Sequence, residues 1–348
     1  MKILANDGIS ESGKATLENA GFEVIITKVA QEQLENFINE DEINVIIIKN
    51  NTEIHAELID NCPSLKLIAN AGTNNDNIDV MYAQECGVQV VNIADASANA
   101  IAELVFAHLL GMARFLHQAN REMPLEGDMS FNAMKKQFSN GTELRGKTLG
   151  IVGMDAAGQQ VAKLALGVGM KVVAYDVDYD NSIIIPIDFF NGQNIDIEID
   201  MLSSDELFKE AHFISLHLSA QENHLISTKE FEQMKDGAVI VDVSIDRGGC
   251  FETSKITTHS KPTFTQHGVI HYCVPNIPSR YARTASVSIS NIFTPYLLNI
   301  AEEGGFENAA RFDKSLRNGM YFYHGILTNK TVADWFDLPY NDINLLIL

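Results

Sequence analysis

Short β-rich apolar runs alternate along this chain with segments whose apolar residues recur at helical spacing. In the N-terminal part the runs fall at 2–6, 23–27, 44–49, 65–69 and 88–92, and helical patterns such as 10–20 and 80–85 lie between them. Strands separated by helices predict a parallel sheet covered on both faces. A longer helical pattern follows at 99–119, with Ile101, Leu104, Val105, Leu109 and Met112 at helical spacing. The stretch 121–145 is polar, carries Pro124, Gly127 and Gly141, and reads as a loop. A second strand series runs through 148–152, 171–176, 213–217, 239–243 and 269–274, and predicts a second parallel sheet. From about residue 284 the pattern is helical with a polar end. The class that follows is α/β, with two doubly wound parallel-sheet domains.

One stretch adds chemistry to this pattern. The strand Thr148-Leu149-Gly150-Ile151-Val152 runs into Gly153-Met154-Asp155-Ala156-Ala157-Gly158, then a helix to about Val168, then the strand Lys171 to Tyr175, closed by Asp176. This is the βαβ order of a dinucleotide site. Gly153 permits a sharp turn, Gly158 lets the helix pack on the strand, and the helix N-terminus offers free N–H groups to a pyrophosphate. Asp176 stands eighteen residues after Gly158, where an acid accepts hydrogen bonds from the adenosine ribose. It would repel a 2′-phosphate, so NAD is expected over NADP. The middle position of the G-x-G-x-x-G fingerprint is Asp155, which adds bulk and a like charge where backbone should approach the pyrophosphate.

Composition narrows the partners. The formal charge of −21 argues against nucleic acid or an anionic membrane. Binding of an anionic cofactor must then rest on local dipoles. No window is apolar enough for a membrane span, and the N-terminus reads as a first strand, so a cytoplasmic protein is expected. Cys62, Cys86, Cys250 and Cys273 are widely spread, with no CxxC pair and no Cys/His cluster at zinc spacing. Reduced thiols and no metal are the expectation.

Two family resemblances lie in the chain. Residues 1–238 resemble D-3-phosphoglycerate dehydrogenase, of the D-isomer-specific 2-hydroxyacid dehydrogenases. The match lies in Leu144-Arg145-Gly146-Lys147-Thr148-Leu149-Gly150-Ile151-Val152-Gly153, in Gly158-Gln159-Gln160-Val161-Ala162, in Ala71-Gly72-Thr73-Asn74-Asn75 and in Ala102-Glu103-Leu104. From about residue 239 the text is similar to the C-terminal part of alanine dehydrogenase. That match lies in Val241 to Glu252, in His271-Tyr272-Cys273-Val274-Pro275-Asn276-Ile277-Pro278 and in Asp337-Leu338-Pro339-Tyr340. The chain reads as a mosaic joined near Gly237. Both families imply a Rossmann cofactor domain inserted in a flavodoxin-like split substrate domain. On this chain that gives 1–98 and 285–348 as the substrate domain and 99–284 as the NAD domain.

The resemblances also imply site residues. Arg247, in an Arg-Gly-Gly turn, corresponds to the arginine that holds a substrate carboxylate through its bidentate fork; the alternative is a surface turn. Asp246 corresponds to the catalytic aspartate of alanine dehydrogenase, or caps a turn. Asn276 and Ile277 correspond to that family's nicotinamide contacts. Asn276 also takes the place of the hydroxyacid dehydrogenases' proton-transferring histidine, and an amide cannot do that work. Gly72, Thr73 and Asn74 resemble a loop whose N–H groups meet substrate, or simply end a strand. Lys49 either replaces a phosphate-contacting cation or is a solvated strand end. His217 ends a strand of the cofactor sheet, where packing or cofactor contact is expected. Three functions remain open: NAD-dependent oxidoreduction of a small 2-hydroxy or 2-oxo acid, reductive amination of pyruvate, and an inactive dinucleotide-binding protein. By resemblance, the segment from 99 to about 141 implies a homodimer.

Overall fold

The structure, a computed structural model, describes all residues except 50–51, 72–76, 93, 190, 219–225, 246–247, 276, 278–280, 304–305, 313–316, 318, 324, 329–332, 334–337 and 348. It divides into two compact units, Met1–Ser97 with Ala282–Leu348, and Ala98–Tyr281.

The first unit opens with β1 (Lys2–Ala5), α1 (Glu11–Asn19), β2 (Glu23–Ile25), α2 (Gln31–Glu40) and β3 (Val45–Ile48). It continues with α3 (Ala56–Asn61), β4 (Leu67–Asn70), α4 (Val80–Glu85) and β5 (Gln89–Asn92). All five strands pair in parallel in the order β2-β1-β3-β4-β5, a flavodoxin-type winding. Successive side chains leave a strand on opposite faces, so a strand covered on both sides must be apolar throughout. β3 meets that demand with Val45-Ile46-Ile47-Ile48, all buried. Ile3, Ala5, Val45 and Ile47 pack on one face with Leu17 of α1 and with Ile289, Phe293 and Leu297 from the returning C-terminal segment. Leu4, Ile46, Ile48 and Ile68 pack on the other with Leu34, Ile38, Leu58 and Ile59.

The second unit contains α5 (Ala98–Ala113), α6 (Leu116–Gln137), β6 (Thr148–Val152), α7 (Ala156–Gly167) and β7 (Lys171–Tyr175). Then come β8 (Ser182–Asp188), β9 (Asn194–Asp200), α8 (Ser204–Glu210), β10 (Phe213–Leu216), α9 (Thr228–Phe231), β11 (Val239–Asp242), β12 (Thr263–Gln266) and β13 (Val269–Tyr272). Its sheet has the order β12-β13-β11-β10-β6-β7, parallel except for the antiparallel edge strand β12. The chain returns to the first unit through α10 (Ala282–Glu302), α11 (Phe306–Phe312), the short hairpin β14 (Phe322–Tyr323) and β15 (Ile326–Leu327), and α12 (Ile343–Leu346).

Four elements differ from the sequence expectation: α6, the hairpin β8–β9, the antiparallel edge strand β12, and the hairpin β14–β15 in a stretch read as helical. The stretch read as a loop at 121–145 is helical as far as Gln137. Phe115, in the left-handed region at φ 53°, ends the α5 run, and α6 restarts at once. Leu, Gln, Ala, Glu, Met and Lys fill α6, and their helix propensity outweighs Pro124 and Gly127. Its helical geometry lapses at Ser130 (φ −122°, ψ 17°) rather than at the proline. Among the described residues no single helix is long and apolar enough to cross a membrane; α5 and α6 meet both conditions only as a pair, across a 54° bend.

The second difference is the antiparallel hairpin β8–β9, seven residues a side. Isoleucines alternate with polar residues along β9, so one face turns inward. Ile185 and Ile199 are fully or nearly fully buried in the same core as Leu149, Ile151, Val161 and Ala162.

Candidate cofactor site

The strand order of the second unit reverses between β6 and β10, and ligands of such sheets lie outside the strand ends at that point. Two segments meet there: the turn after β6 and the residue after β10. Gly153 opens the turn at φ +95°, a conformation that favours glycine. A Cβ built on it would lie 2.7 Å from the Leu218 amide nitrogen. The Gly153 N–H donates to the Tyr175 carbonyl at 2.8 Å, which ties the turn to β7. Gly158 carries the helix across the strand end so closely that a Cβ there would lie 2.3 Å from the Gly153 carbonyl oxygen. The two glycines therefore make a cradle that side chains would fill.

Asp155 stands between them at the N-cap of α7, with extended backbone. Its Oδ1 accepts the Gly158 N–H at 2.7 Å. It thus satisfies one of the free amides that a bound anion would otherwise meet. Asp176, at the end of β7, holds the turn from the other side. Its Oδ2 accepts the Met154 N–H at 2.6 Å and its Oδ1 accepts the Asp178 N–H at 3.0 Å. Each oxygen keeps a further lone pair for a ribose hydroxyl. Gln159 Nε2 donates to the Met154 carbonyl at 3.0 Å.

His217 closes the arrangement. Its side chain is 1% exposed, and its Nδ1 lies 3.8 Å from Asp155 Oδ1. Its Nε2 and the Ser215 hydroxyl form a 2.8 Å hydrogen bond, while Nδ1 is buried without a hydrogen-bond partner. Burial lowers the His217 imidazole below its ordinary value, and Asp155 offsets part of that effect. Fingerprint reasoning located the glycines and Asp176. It did not reveal the closeness of His217 to Asp155, because that contact joins the segments that follow two strands paired side by side, β6 and β10.

The remaining expected residues are placed separately. Lys49 follows β3 in the first unit. Its backbone N–H donates to Asp7 Oδ2 at 2.7 Å, and Asp7 also accepts from Lys28 Nζ at 2.5 Å and from the Thr52 hydroxyl at 2.9 Å. Burial raises the Asp7 carboxyl, but these bonds outweigh it and hold the group below its ordinary value. Burial lowers the Lys49 ammonium, with partial relief from Asp7. Ile277 is buried in the core of the second unit, beside Tyr272 and Val274. Gly72, Thr73, Asn74, Asp246, Arg247 and Asn276 lie outside the described residues. Among the other histidines, His108 stacks on Tyr272 with ring centroids 4.0 Å apart, and burial, with His259 and His117, pushes it down to about 4.

A doubly wound sheet with this turn at its switch point is the architecture of a nicotinamide-dinucleotide-binding domain. Residues 130–330 match the family of the alanine dehydrogenase/PNT C-terminal domain. Hydroxypyruvate reductase of Thermotoga maritima is 35% identical over 254 residues, which are 72% of this chain and 76% of that protein. Alanine dehydrogenase of Staphylococcus epidermidis is 38% identical over 197 residues, 56% of this chain and 53% of the relative. The chain thus spans about half the length of the alanine dehydrogenases it matches. That match is longer than the whole stretch from 239 to the C-terminus, so likeness to alanine dehydrogenase reaches back across Gly237. The fold is also that of the apo D-lactate dehydrogenase of Escherichia coli, with a TM-score of 0.62 and 22% identity over 88% of this chain and 98% of that one. The chain belongs to the alanine dehydrogenase/PNT C-terminal domain family, is 35% identical to an oxidoreductase over 72% of its length, and shares the fold of the solved D-lactate and D-2-hydroxyisocaproate dehydrogenases. The glycine cradle and Asp176 fit NAD as the cofactor.

Proposed function

We propose that the chain is a phosphoglycerate dehydrogenase-like oxidoreductase of a small 2-hydroxy or 2-oxo acid that holds NAD weakly. The geometry of the β6–α7 turn supports this reading: a cradle closed by Gly153 and Gly158, an acid at Asp176 for the ribose, and a second carboxylate, Asp155, on the helix N-terminus. NAD, when bound, supplies the hydride chemistry. In this reading Arg247 holds the substrate carboxylate, with Gly72, Thr73, Asn74 and Lys49 around the substrate. Asp246 serves as the catalytic aspartate, and Asn276 and Ile277 as the nicotinamide contacts. With an amide at Asn276, proton transfer lacks its histidine, so turnover is slow.

The reading predicts slow, ammonium-independent NADH oxidation, followed at about 340 nm, with hydroxypyruvate, phosphohydroxypyruvate or another 2-oxo acid. Likeness to alanine dehydrogenase favours a second reading, in which only pyruvate with ammonium oxidises NADH. NADH binding with no turnover on either panel would leave an inactive dinucleotide-binding protein.

The reading also makes the protein a cytoplasmic homodimer paired through α5 and α6. Leu125 and Met129 on α6 are 81% and 87% exposed, and Leu116 and Phe131 are also largely bare. Sedimentation at micromolar concentration is expected to give a dimer, and a monomer there would sink the pairing.

A further inference from the structure

We propose that His217 takes up a proton against Asp155 when a dinucleotide's diphosphate lies on the α7 N-terminus, so that cofactor binding tightens as the pH falls. The inference rests on NAD lying along the β6–α7 turn. Its physical basis is an imbalance visible in the free protein. The α7 N-terminus is an anion site by its dipole and its free amides. Asp155 already places one negative charge there, 55% exposed and bonded to the Gly158 N–H. A diphosphate brings more negative charge to the same few ångströms, and no positive side chain among the described residues bonds this turn.

His217 is the group placed to supply that charge. Its Nδ1 points to the Asp155 side of the turn, 3.8 Å from Oδ1, and forms no hydrogen bond. A neutral ring with its one N–H directed at Ser215 leaves Nδ1 as a buried bare lone pair. A proton from solvent converts Nδ1 into a donor toward Asp155, while Nε2–H stays on the Ser215 hydroxyl. The ring is almost sealed from water, so its charge acts through protein rather than solvent.

The surroundings isolate this pair. Among the described residues, the charged group acting on His217 is Asp155, from the β6–α7 turn. Its own strand adds the neutral Ser215 hydroxyl. Asp176, at the end of β7, accepts the Met154 N–H of the same turn and is not among the groups acting on His217. Asp242, at the end of β11, accepts the Ser244 N–H and the Ser254 hydroxyl. Burial keeps His217 neutral in the free protein, and the arriving anion reverses the balance. The sign follows: the complex holds one proton more than the free protein, so lower pH favours the complex.

The test is a fluorescence titration of NADH into the full chain from about pH 8.5 to about pH 5.5, a range above ordinary carboxylate titration. The dissociation constant should fall with pH, approaching about tenfold per unit, the limit for one proton. Calorimetry in two buffers of different ionisation enthalpy should show that proton being taken up. His217→Gln, whose amide can still meet Ser215, should flatten the pH profile. Asp155→Asn keeps the helix cap and serves if the histidine variant misfolds. It should bind NADH at least about tenfold more tightly than the unmodified chain near pH 8, with the gap closing toward pH 5.5. Affinity independent of pH, with heats independent of buffer, would overturn the proton coupling and leave the cofactor assignment standing. A folded His217→Gln that keeps the full pH profile would overturn it too. No NADH binding by any variant at any pH would remove both.

Discussion

Replacing Gly158 with alanine is expected to destabilise the second unit by about 3 kcal/mol or more and to abolish NADH binding. The added Cβ would stand 2.3 Å from the Gly153 carbonyl oxygen and 3.4 Å from Asp155 Oδ1. The first of these atoms is backbone, so no side-chain rotation relieves the overlap. Either α7 lifts away from β6 or the turn opens. Lifting α7 uncovers Val161, Ala162 and Ala165, which are fully buried against the sheet. Opening the turn breaks the Gly153 bond to the Tyr175 carbonyl and the Asp176 bond to the Met154 amide. Urea unfolding monitored by circular dichroism measures the loss. A variant as stable as the parent would mean that the strand and helix are not packed this closely.

Asp155→Gly is expected to do the reverse for affinity and little to stability. Losing an aspartate N-cap to glycine costs only a few tenths of a kcal/mol, since glycine leaves the amides open to water. The carboxylate it removes stands on the helix N-terminus that a diphosphate needs. Two unit charges about 4 Å apart repel by roughly 1 to 4 kcal/mol, according to screening. The middle of that range corresponds to an affinity gain well above about tenfold. The same change leaves His217 without its nearest charge, so the gain is greatest above neutral pH, where the imidazole is uncharged. Calorimetric or urea unfolding should separate the effect from any change in stability.

The parts of this molecule that repeat a local rule were legible in the sequence, and the parts decided by contacts between distant residues were not. β3 could be read because four consecutive apolar residues of β-branched type fit only a strand buried on both faces. The β6–α7 turn could be read because glycine at 153 and 158 answers a backbone requirement that no other residue meets. α6 was hidden by Pro124 and Gly127, which mark a loop by local rules yet here sit within a run of strong helix formers. The hairpin β8–β9 carried its alternation openly at Asn194 to Asp200, but lay between a strand and a helix where the simple α/β rhythm has no hairpin. In the candidate site the sequence located Asp155 as a misfit. Only the structure showed that its carboxylate is spent on capping Gly158 and that a buried histidine from the next strand faces it. Several expected site residues, Asp246, Arg247 and Asn276 among them, lie outside the described residues.

In the proposed reading the β6–α7 turn is the NAD cradle and Asp155 sets how weakly it holds the cofactor. A parallel titration of NADH fluorescence on the unmodified chain and on Asp155→Gly, near neutral pH, tests it most directly. Saturable binding by both is expected, tighter in the variant by about tenfold or more. Equal affinities, or tighter binding by the unmodified chain, would contradict it.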